Sequence, residues 1–200
     1  MSHNFEELKD RKVGTEAQGT YLEKLKNGFF DKYMSGNGLD VGFAGYEEGC
    51  EPILPTAIGI DIDYPDYDGI NLPFDDFSQD YVFSSHCLEH IEDYKTVIRE
   101  WFRVLKIGGF LIISVPHQFL YEKKKDLPSK WNLDHKRFYT PSSLLREIDE
   151  SLEPNSYRIR SLRDNDDKFD YSIPPEKHSG GRYEIELVIE TTEKPNWEIL

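Results

Sequence analysis

Gly38-Leu39-Asp40-Val41-Gly42-Phe43-Ala44-Gly45, followed by Ala57-Ile58-Gly59-Ile60-Asp61-Ile62-Asp63, decides the fold. The first stretch reads as a short buried strand that breaks into a glycine-containing turn. The second reads as another buried strand ending in a carboxylate. Strand, turn, strand and terminal acid is the arrangement by which a doubly wound α/β sheet holds a nucleoside. The turn admits the ligand close to the backbone, and the acid accepts hydrogen bonds from ribose hydroxyls. Asp61 is the first candidate for that acid and Asp63 its competitor. The expected architecture is a Rossmann-like α/β three-layer sandwich.

On the N-terminal side, Leu22, Leu25, Phe29 and Tyr33 recur at helical spacing, predicting one helix over residues 16–35 that stops at Gly36 and Gly38. Between the two opening strands, Gly49, Pro52 and Pro55 argue against a regular crossover helix, and residues 64–69 leave no room for a second. One sheet edge is therefore expected to be abbreviated. Asp80 to Ser84 is a further strand. Tyr94, Val97, Ile98, Trp101, Phe102 and Leu105 mark a helix capped by Asp93 and ended by Gly108-Gly109. Phe110 to Val115 is a buried strand, and residues 116–138 are a polar, basic connection. Thr140-Pro141 opens a helix with Leu144, Leu145, Ile148 and Leu152 inward. Tyr157–Leu162 and Tyr183–Glu190 are late strands suited to an antiparallel edge.

Two hundred residues suit one domain, read here as 1–200 with a helical segment over 1–36 and an acceptor-side connection or lid over 116–139. Thirty-eight acidic against 24 basic residues give a formal net charge of −14, which opposes a nucleic-acid partner. Cys50 and Cys87 make no metal or disulfide spacing, and no apolar run reaches the length of a membrane span. These features suit a reducing, cytoplasmic compartment.

The downstream motifs carry more. Leu72-Pro73-Phe74, then His86-Cys87-Leu88-Glu89-His90-Ile91, then Arg103-Val104-Leu105-Lys106-Ile107-Gly108-Gly109 follow one another in order. With the opening stretch, this succession resembles the class I S-adenosylmethionine-dependent methyltransferases of the type 11 group, continuously from about Gly38 to Val115. The resemblance implies S-adenosyl-L-methionine as cofactor and S-adenosyl-L-homocysteine as product, with a divalent cation not expected. It sets Asp40 and Gly42 beside the methionine half of the cofactor and Asp61 on the ribose. Asp68 accepts from the adenine amino group, Leu72 lies by the base, and Ser85 and His86 meet the methionine moiety. Phe43, Ile62 and Gly69 complete the cofactor-binding set. Where the family has further glycines, this chain has Ala44 and Tyr46.

His86-x-x-Glu89-His90 also spells the inverted zinc-peptidase motif. That motif needs both histidines on one helix face and a third ligand downstream. Here it directly follows a strand, so zinc hydrolysis is the remote alternative, and Glu89 and His90 are read as structural.

Acceptor residues are sought after the strand ending at Val115. His117, at a strand C-terminal edge, is the first candidate for general base, and His135, preceded by Asp134, the second. Tyr121, Trp131, Asp134 and Arg137 are candidate substrate contacts. Between Tyr121 and Arg137, six basic residues face three acidic ones, which hints at an anionic or phosphate-bearing acceptor. The stretches Asp134–Leu145 and Leu162–Asp167 and the late strand from Tyr183 look similar to methyltransferases of surface-polysaccharide gene clusters. That similarity implies O-methylation of a sugar, on a glycan or an activated precursor. Two hundred residues leave little besides the core fold, so a larger glycan-assembly polypeptide or complex is also expected. Asp164, Asp166 and Asp167 are weak metal candidates, more in keeping with a solvated loop. The competing readings are a methyltransferase for a quinone or lipid precursor and a non-catalytic cofactor-binding module.

Overall fold

A computed structural model describes residues 3–196. The helices are α1 (Phe5–Leu8), α2 (Thr15–Lys26), α3 (Phe29–Tyr33), α4 (Tyr94–Arg103) and α5 (Pro141–Ser151). The strands are β1 (Gly38–Val41), β2 (Ala57–Ile60), β3 (Gln79–Ser85), β4 (Leu105–Pro116), β5 (Tyr157–Asn165) and β6 (Glu184–Thr191). They form one six-stranded sheet in the order β2-β1-β3-β4-β6-β5. The β2, β1, β3 and β4 strands run parallel, and β6 runs antiparallel to both of its neighbours. The expected α/β class, the late antiparallel strand and the shortened β2 edge are all present. Only a 3₁₀ turn, Tyr46–Glu48, breaks the β1–β2 connection, as its glycine and prolines require.

Strand periodicity divides the core between the two sheet faces. Val82, Leu111, Ile113, Leu187 and Ile189 pack with Val97, Ile98 and Trp101 of α4 and Leu144 and Ile148 of α5. Tyr81, Phe83, Ile112 and Val188 point to the other side, against Tyr21 and Leu25 of α2 and Phe29, Phe30 and Tyr33 of α3. Local signals fix the α4 and α5 ends. Asp93 accepts from the Thr96 amide at 3.2 Å, and Thr140 and Ser143 form a reciprocal capping box with Pro141 in the first turn.

The N-terminal prediction needs correction. The expected 16–35 helix is two helices, because Asn27 closes α2 and Gly28 takes φ +74°, a left-handed conformation that breaks the helical path. Its buried face is also rotated. Leu22 is exposed, whereas Ala17, Tyr21, Lys24 and Leu25 are buried. The reason is electrostatic as well as apolar: Lys24 turns inward to meet Glu186 of β6 at 2.8 Å.

Candidate functional site

The parallel strands end together on one side, and a cavity of about 230 Å³ opens at their C-terminal tips, where this sheet class places its ligands. Asp40, Gly42, Phe43 and Ala44 line it from β1 and the turn after it. Ser85, His86, Glu89 and His90 come from the end of β3 and the 3₁₀ turn Leu88–His90, and Gly14, Glu16 and Ala17 from the start of α2. Tyr121, Asn132 and His135 close it from the connection after β4.

Gly42 is where the backbone constraint is sharpest. Its φ is +78°, and a Cβ there would sit 2.6 Å from the Cβ of Cys87 and 2.8 Å from its Sγ. No other residue fits this close passage of the β1 turn under the β3 turn. Ala44, the substitute for a family glycine, holds φ +74° in spite of its Cβ. A left-handed alanine costs about 1–2 kcal/mol. Ala44→Gly is accordingly expected to raise stability by up to about 1 kcal/mol once glycine's greater unfolded-chain entropy is deducted. A lower denaturation midpoint for the variant would show that the turn carries no such strain.

Charge in the cavity is mostly negative, and much of it is buried. Asp40 is 4% exposed and accepts from the Ile53 amide at 2.6 Å. Burial pushes its carboxyl up to about 7 against the opposing effects of that bond and of Arg11. Glu89 is fully buried, and neither of its oxygens has a hydrogen-bond partner among the described residues. Burial likewise raises it to about 7, although the His86 charge opposes the rise. Around Glu89 Oε1 stand His86 Nδ1 at 3.7 Å, His90 Nε2 at 3.9 Å and His135 Nε2 at 4.0 Å.

Two of these imidazoles are held from behind by buried carboxylates. His86 Nε2 donates to Glu184 Oε1 at 3.1 Å, and His135 Nδ1 donates to Glu122 Oε1 at 2.9 Å. Burial works against the imidazolium of His86, but its bond to Glu184 and the charges of Glu89 and Glu184 outweigh it and raise the pKa. Burial prevails for His90, aided by the neighbouring His135, and for His135 it outweighs Glu122, so both are lowered. His135 reaches this position because its segment is stitched to the 3₁₀ turn. The Lys136 amide donates to Glu89 O at 2.8 Å, and Arg137 donates to Leu88 O and Glu92 O at 3.2 and 2.9 Å.

Of the sequence-derived candidates, the cavity collects Asp40, Gly42, Phe43, Ser85, His86, Tyr121 and His135. Asp61, Ile62, Asp68 and Gly69 lie outside it, on the β2 side. Asp61 follows β2 and accepts from the Ile62 amide, and Ile62 is exposed. Asp68 is exposed and accepts from the amides of Ile70 and Asn71 and from the Asn71 side chain; these bonds, the Asn71 side chain's first, hold its carboxyl below the usual range. Leu72 is buried in the core.

The acceptor-side candidates divide in the same way. His117 lies away from the cavity, with Nδ1 accepting from the Phe119 amide at 3.0 Å and Nε2 3.6 Å from Asp164. Trp131 donates from Nε1 to Tyr121 O at 3.0 Å and so supports the cavity wall from behind. Asp134 is exposed, and Arg137 is occupied by its backbone ties and by Glu147 at 3.4 Å. Of the basic residues between Tyr121 and Arg137, none lines the cavity; Lys123, Lys124 and Lys130 donate to backbone carbonyls. Asp164, Asp166 and Asp167 do not converge as a ligand set: Asp164 faces His117, and Asp166 accepts from Tyr171. Residues missed from sequence are Gly14, Glu16, Ala17 and Asn132, together with Glu89 and His90 in any role beyond structure. Only the polar His86–His90 run carried a local signal.

Comparison with known proteins bears on the fold. Residues 49–113 match the family model described as a methyltransferase domain. An S-adenosylmethionine-dependent methyltransferase from Thermotoga maritima superposes with a TM-score of 0.51 at 19% identity, over 88% of this chain and 91% of that one. The fold is that of the S-adenosylmethionine-dependent methyltransferases. A probable S-adenosylmethionine-dependent methyltransferase of Mycolicibacterium smegmatis is 30% identical over 88 residues, 44% of this chain and 32% of that relative. A demethylmenaquinone methyltransferase of Staphylococcus epidermidis is 47% identical over 45 residues, 22% of this chain and 19% of the relative. The chain thus spans less than a third of the length of the curated relatives it matches.

S-adenosylmethionine is the cofactor that this methyltransferase fold and the matched domain imply, and the residues present fit it. Gly42 keeps the β1 turn free of a Cβ, and Glu16 and Asp40 offer carboxylates to a cationic ligand. About 230 Å³ is below the ~300–1,000 Å³ usual for a small-molecule site. It is smaller than the whole cofactor needs, and Asp61 and Asp68 lie outside it.

Proposed function

We propose that this chain transfers a methyl group from S-adenosylmethionine to an oxygen nucleophile, a sugar hydroxyl of a glycan or an activated sugar precursor. The observation that carries methyl transfer is the cavity at the strand tips, in which the Gly42 turn faces a cluster of titratable side chains from β3 and the post-β4 connection. The cofactor supplies a methyl group made electrophilic by positive sulfur. Displacement is in line, so the protein's contribution is to hold acceptor, methyl carbon and sulfur nearly collinear and to exclude water. Tyr121 and Asn132, which line the same cavity as Gly42 from the connection after β4, serve as acceptor-side contacts, and a hydroxyl acceptor needs a group to assist loss of its proton. His135 lines the cavity and His117 does not, so the assisting role passes to the His135 side of the site.

The polarity of the lining favours a sugar over an isoprenoid quinone, which needs an apolar channel, although one matched relative is a demethylmenaquinone methyltransferase. The phosphate-bearing form of the acceptor has less behind it, because the basic residues of 121–137 stand outside the cavity.

Calorimetric titration with S-adenosylmethionine and S-adenosylhomocysteine tests the reading. The parent is expected to bind both at micromolar concentration, and Asp61→Ala to bind about 100-fold more weakly, a loss of about 2.7 kcal/mol. Binding with turnover on sugar acceptors supports the proposal, and binding without turnover on any acceptor points to a non-catalytic module. A parent that binds neither ligand sinks the methyltransferase reading.

A further inference from the structure

The structure assigns a divalent transition-metal site to Glu89, His90 and His135, at the acceptor side of the cavity. One carboxylate oxygen and one imidazole nitrogen from each histidine lie within 4.8 Å of one another. Glu89 Oε1 stands 3.9 Å from His90 Nε2 and 4.0 Å from His135 Nε2. Those separations are too long for hydrogen bonds. Two metal–ligand bonds of about 2.0–2.2 Å meeting near the tetrahedral angle hold their ligand atoms about 3.3–3.6 Å apart, so Glu89 needs to draw toward each histidine by only a few tenths of an ångström, and side-chain rotation closes the remaining separation between the two imidazoles.

A second, independent observation points to a cation. Glu89 is fully buried, both its oxygens lack hydrogen-bond partners among the described residues, and it borders the cavity. A buried carboxylate without partners is costly unless a cation or a proton completes it. The surrounding groups select the cation. His135 donates through Nδ1 to Glu122, which leaves the Nε2 lone pair toward Glu89. Glu122 is itself fixed by the Lys130 amide at 3.2 Å. A carboxylate behind an imidazole is the usual outer support of a metal-binding histidine. The His90 and His135 rings stand at 77° with centroids 4.9 Å apart, edge to face, so they approach one point from different directions. His86 repeats the support through Glu184 but faces Glu89 from outside the three-ligand group.

Two imidazoles and one carboxylate suit Zn²⁺, Mn²⁺, Fe²⁺ or Co²⁺ and disfavour Mg²⁺ and Ca²⁺, whose preferred ligands are oxygens. Three protein ligands would leave a further coordination position on the ion, as in a catalytic rather than a structural site, and Glu89, His90 and His135 border the same cavity as Tyr121, Asn132 and Gly42. An acceptor hydroxyl bound there is polarised and gives up its proton to solvent water more readily; its oxygen forms the C–O bond as the C–S bond breaks and the electron pair stays on sulfur. That role rests on the methyl-transfer reading, whereas the metal site does not.

Titrating the full chain with Co²⁺ tests the site through the visible absorption of the bound ion, with Zn²⁺ competition and a Mg²⁺ control. One equivalent is expected to bind at micromolar concentration or tighter, to be displaced by Zn²⁺ and to be unaffected by Mg²⁺. His90→Ala and His135→Ala are each expected to weaken binding at least 100-fold, and Glu122→Gln about 10–100-fold. His90 is one-third exposed, so its variant retains the fold if the buried His135 variant does not. Absence of the Co²⁺ spectrum, or a spectrum unchanged in His90→Ala, overturns the proposal. Calorimetry with S-adenosylhomocysteine on the same samples separates the two claims. Cofactor binding without metal overturns the metal site alone, and metal binding without cofactor overturns the methyltransferase reading alone.

Discussion

Glu186→Leu is expected to destabilise the protein by about 3–5 kcal/mol, the usual result of removing one partner from a buried ion pair. Lys24 and Glu186 meet at 2.8 Å with side chains 2% and 1% exposed, on the sheet face that α2 covers. Lys24 also donates to Thr20 at 3.1 Å and lies over the rings of Phe29 and Phe83 at 5.4 and 5.6 Å. Those contacts hold the ammonium in place after Glu186 is gone, and they do not neutralise it. The reverse change, Lys24→Met, is expected to cost less, because Glu186 retains Arg163 at 2.9 Å on the more exposed side. The double variant Lys24→Met/Glu186→Leu is expected to recover most of the loss, since a well-packed apolar pair of similar size commonly matches or exceeds a buried ion pair. Urea denaturation of the three variants provides the check. Equal losses for both single variants, or a double variant as unstable as their sum, contradict this account.

That pair also shows where sequence reading stops. A lysine on an amphipathic helix reads as a solvated residue, and nothing near Lys24 announces a partner on the last strand. The predicted inner face of α2 therefore held Leu22 instead, which is exposed. Signals contained within a few residues were legible. The apolar runs of β1 and β3, the Asp93 and Thr140 caps, and the prolines that shorten the β2 edge each act locally and in the expected place. Leu105, expected as the last inward residue of the Asp93 helix, instead opens β4, because α4 ends at Arg103 before the glycines. The site was legible to the same extent. Gly42, Asp40, Ser85 and His86 sit at strand tips that local pattern defines. The approach of His135 to Glu89 is decided instead by backbone bonds between a 3₁₀ turn and a distant connection, which residue types do not encode. His-x-x-Glu-His was visible, but the approach of His135 to Glu89 and His90 depended on that docking, and the strand before the motif argued against the helix it requires.

Asp40 gives the site a pH signature with a definite sign. Its ordinary carboxyl value of 3.8 is raised to about 7, first by burial, with Asp61 adding to the rise and the Ile53 amide and Arg11 opposing it. The folded state therefore holds a proton that the unfolded chain has lost between about pH 4 and 7, so stability falls as pH rises through that window. Below it both states are protonated and the group contributes nothing; above it the penalty is complete and flat. At about 1.36 kcal/mol for each pH unit of displacement, the full penalty is on the order of 4 kcal/mol for the protein without cofactor. Asp40→Asn retains an acceptor for the Ile53 amide and removes the ionisation. It is expected to be more stable than the parent at pH 8, equal to it near pH 4, and to lose the corresponding slope in denaturation midpoints measured between. A cationic ligand beside Asp40 favours the ionised carboxylate, so S-adenosylmethionine is expected to bind the parent more tightly at pH 8 than at pH 6, and Asp40→Asn without that difference. A parent whose stability rises from pH 5 to pH 7, with Asp40→Asn following the same course, means that Asp40 is ionised in the folded protein and that burial does not govern it.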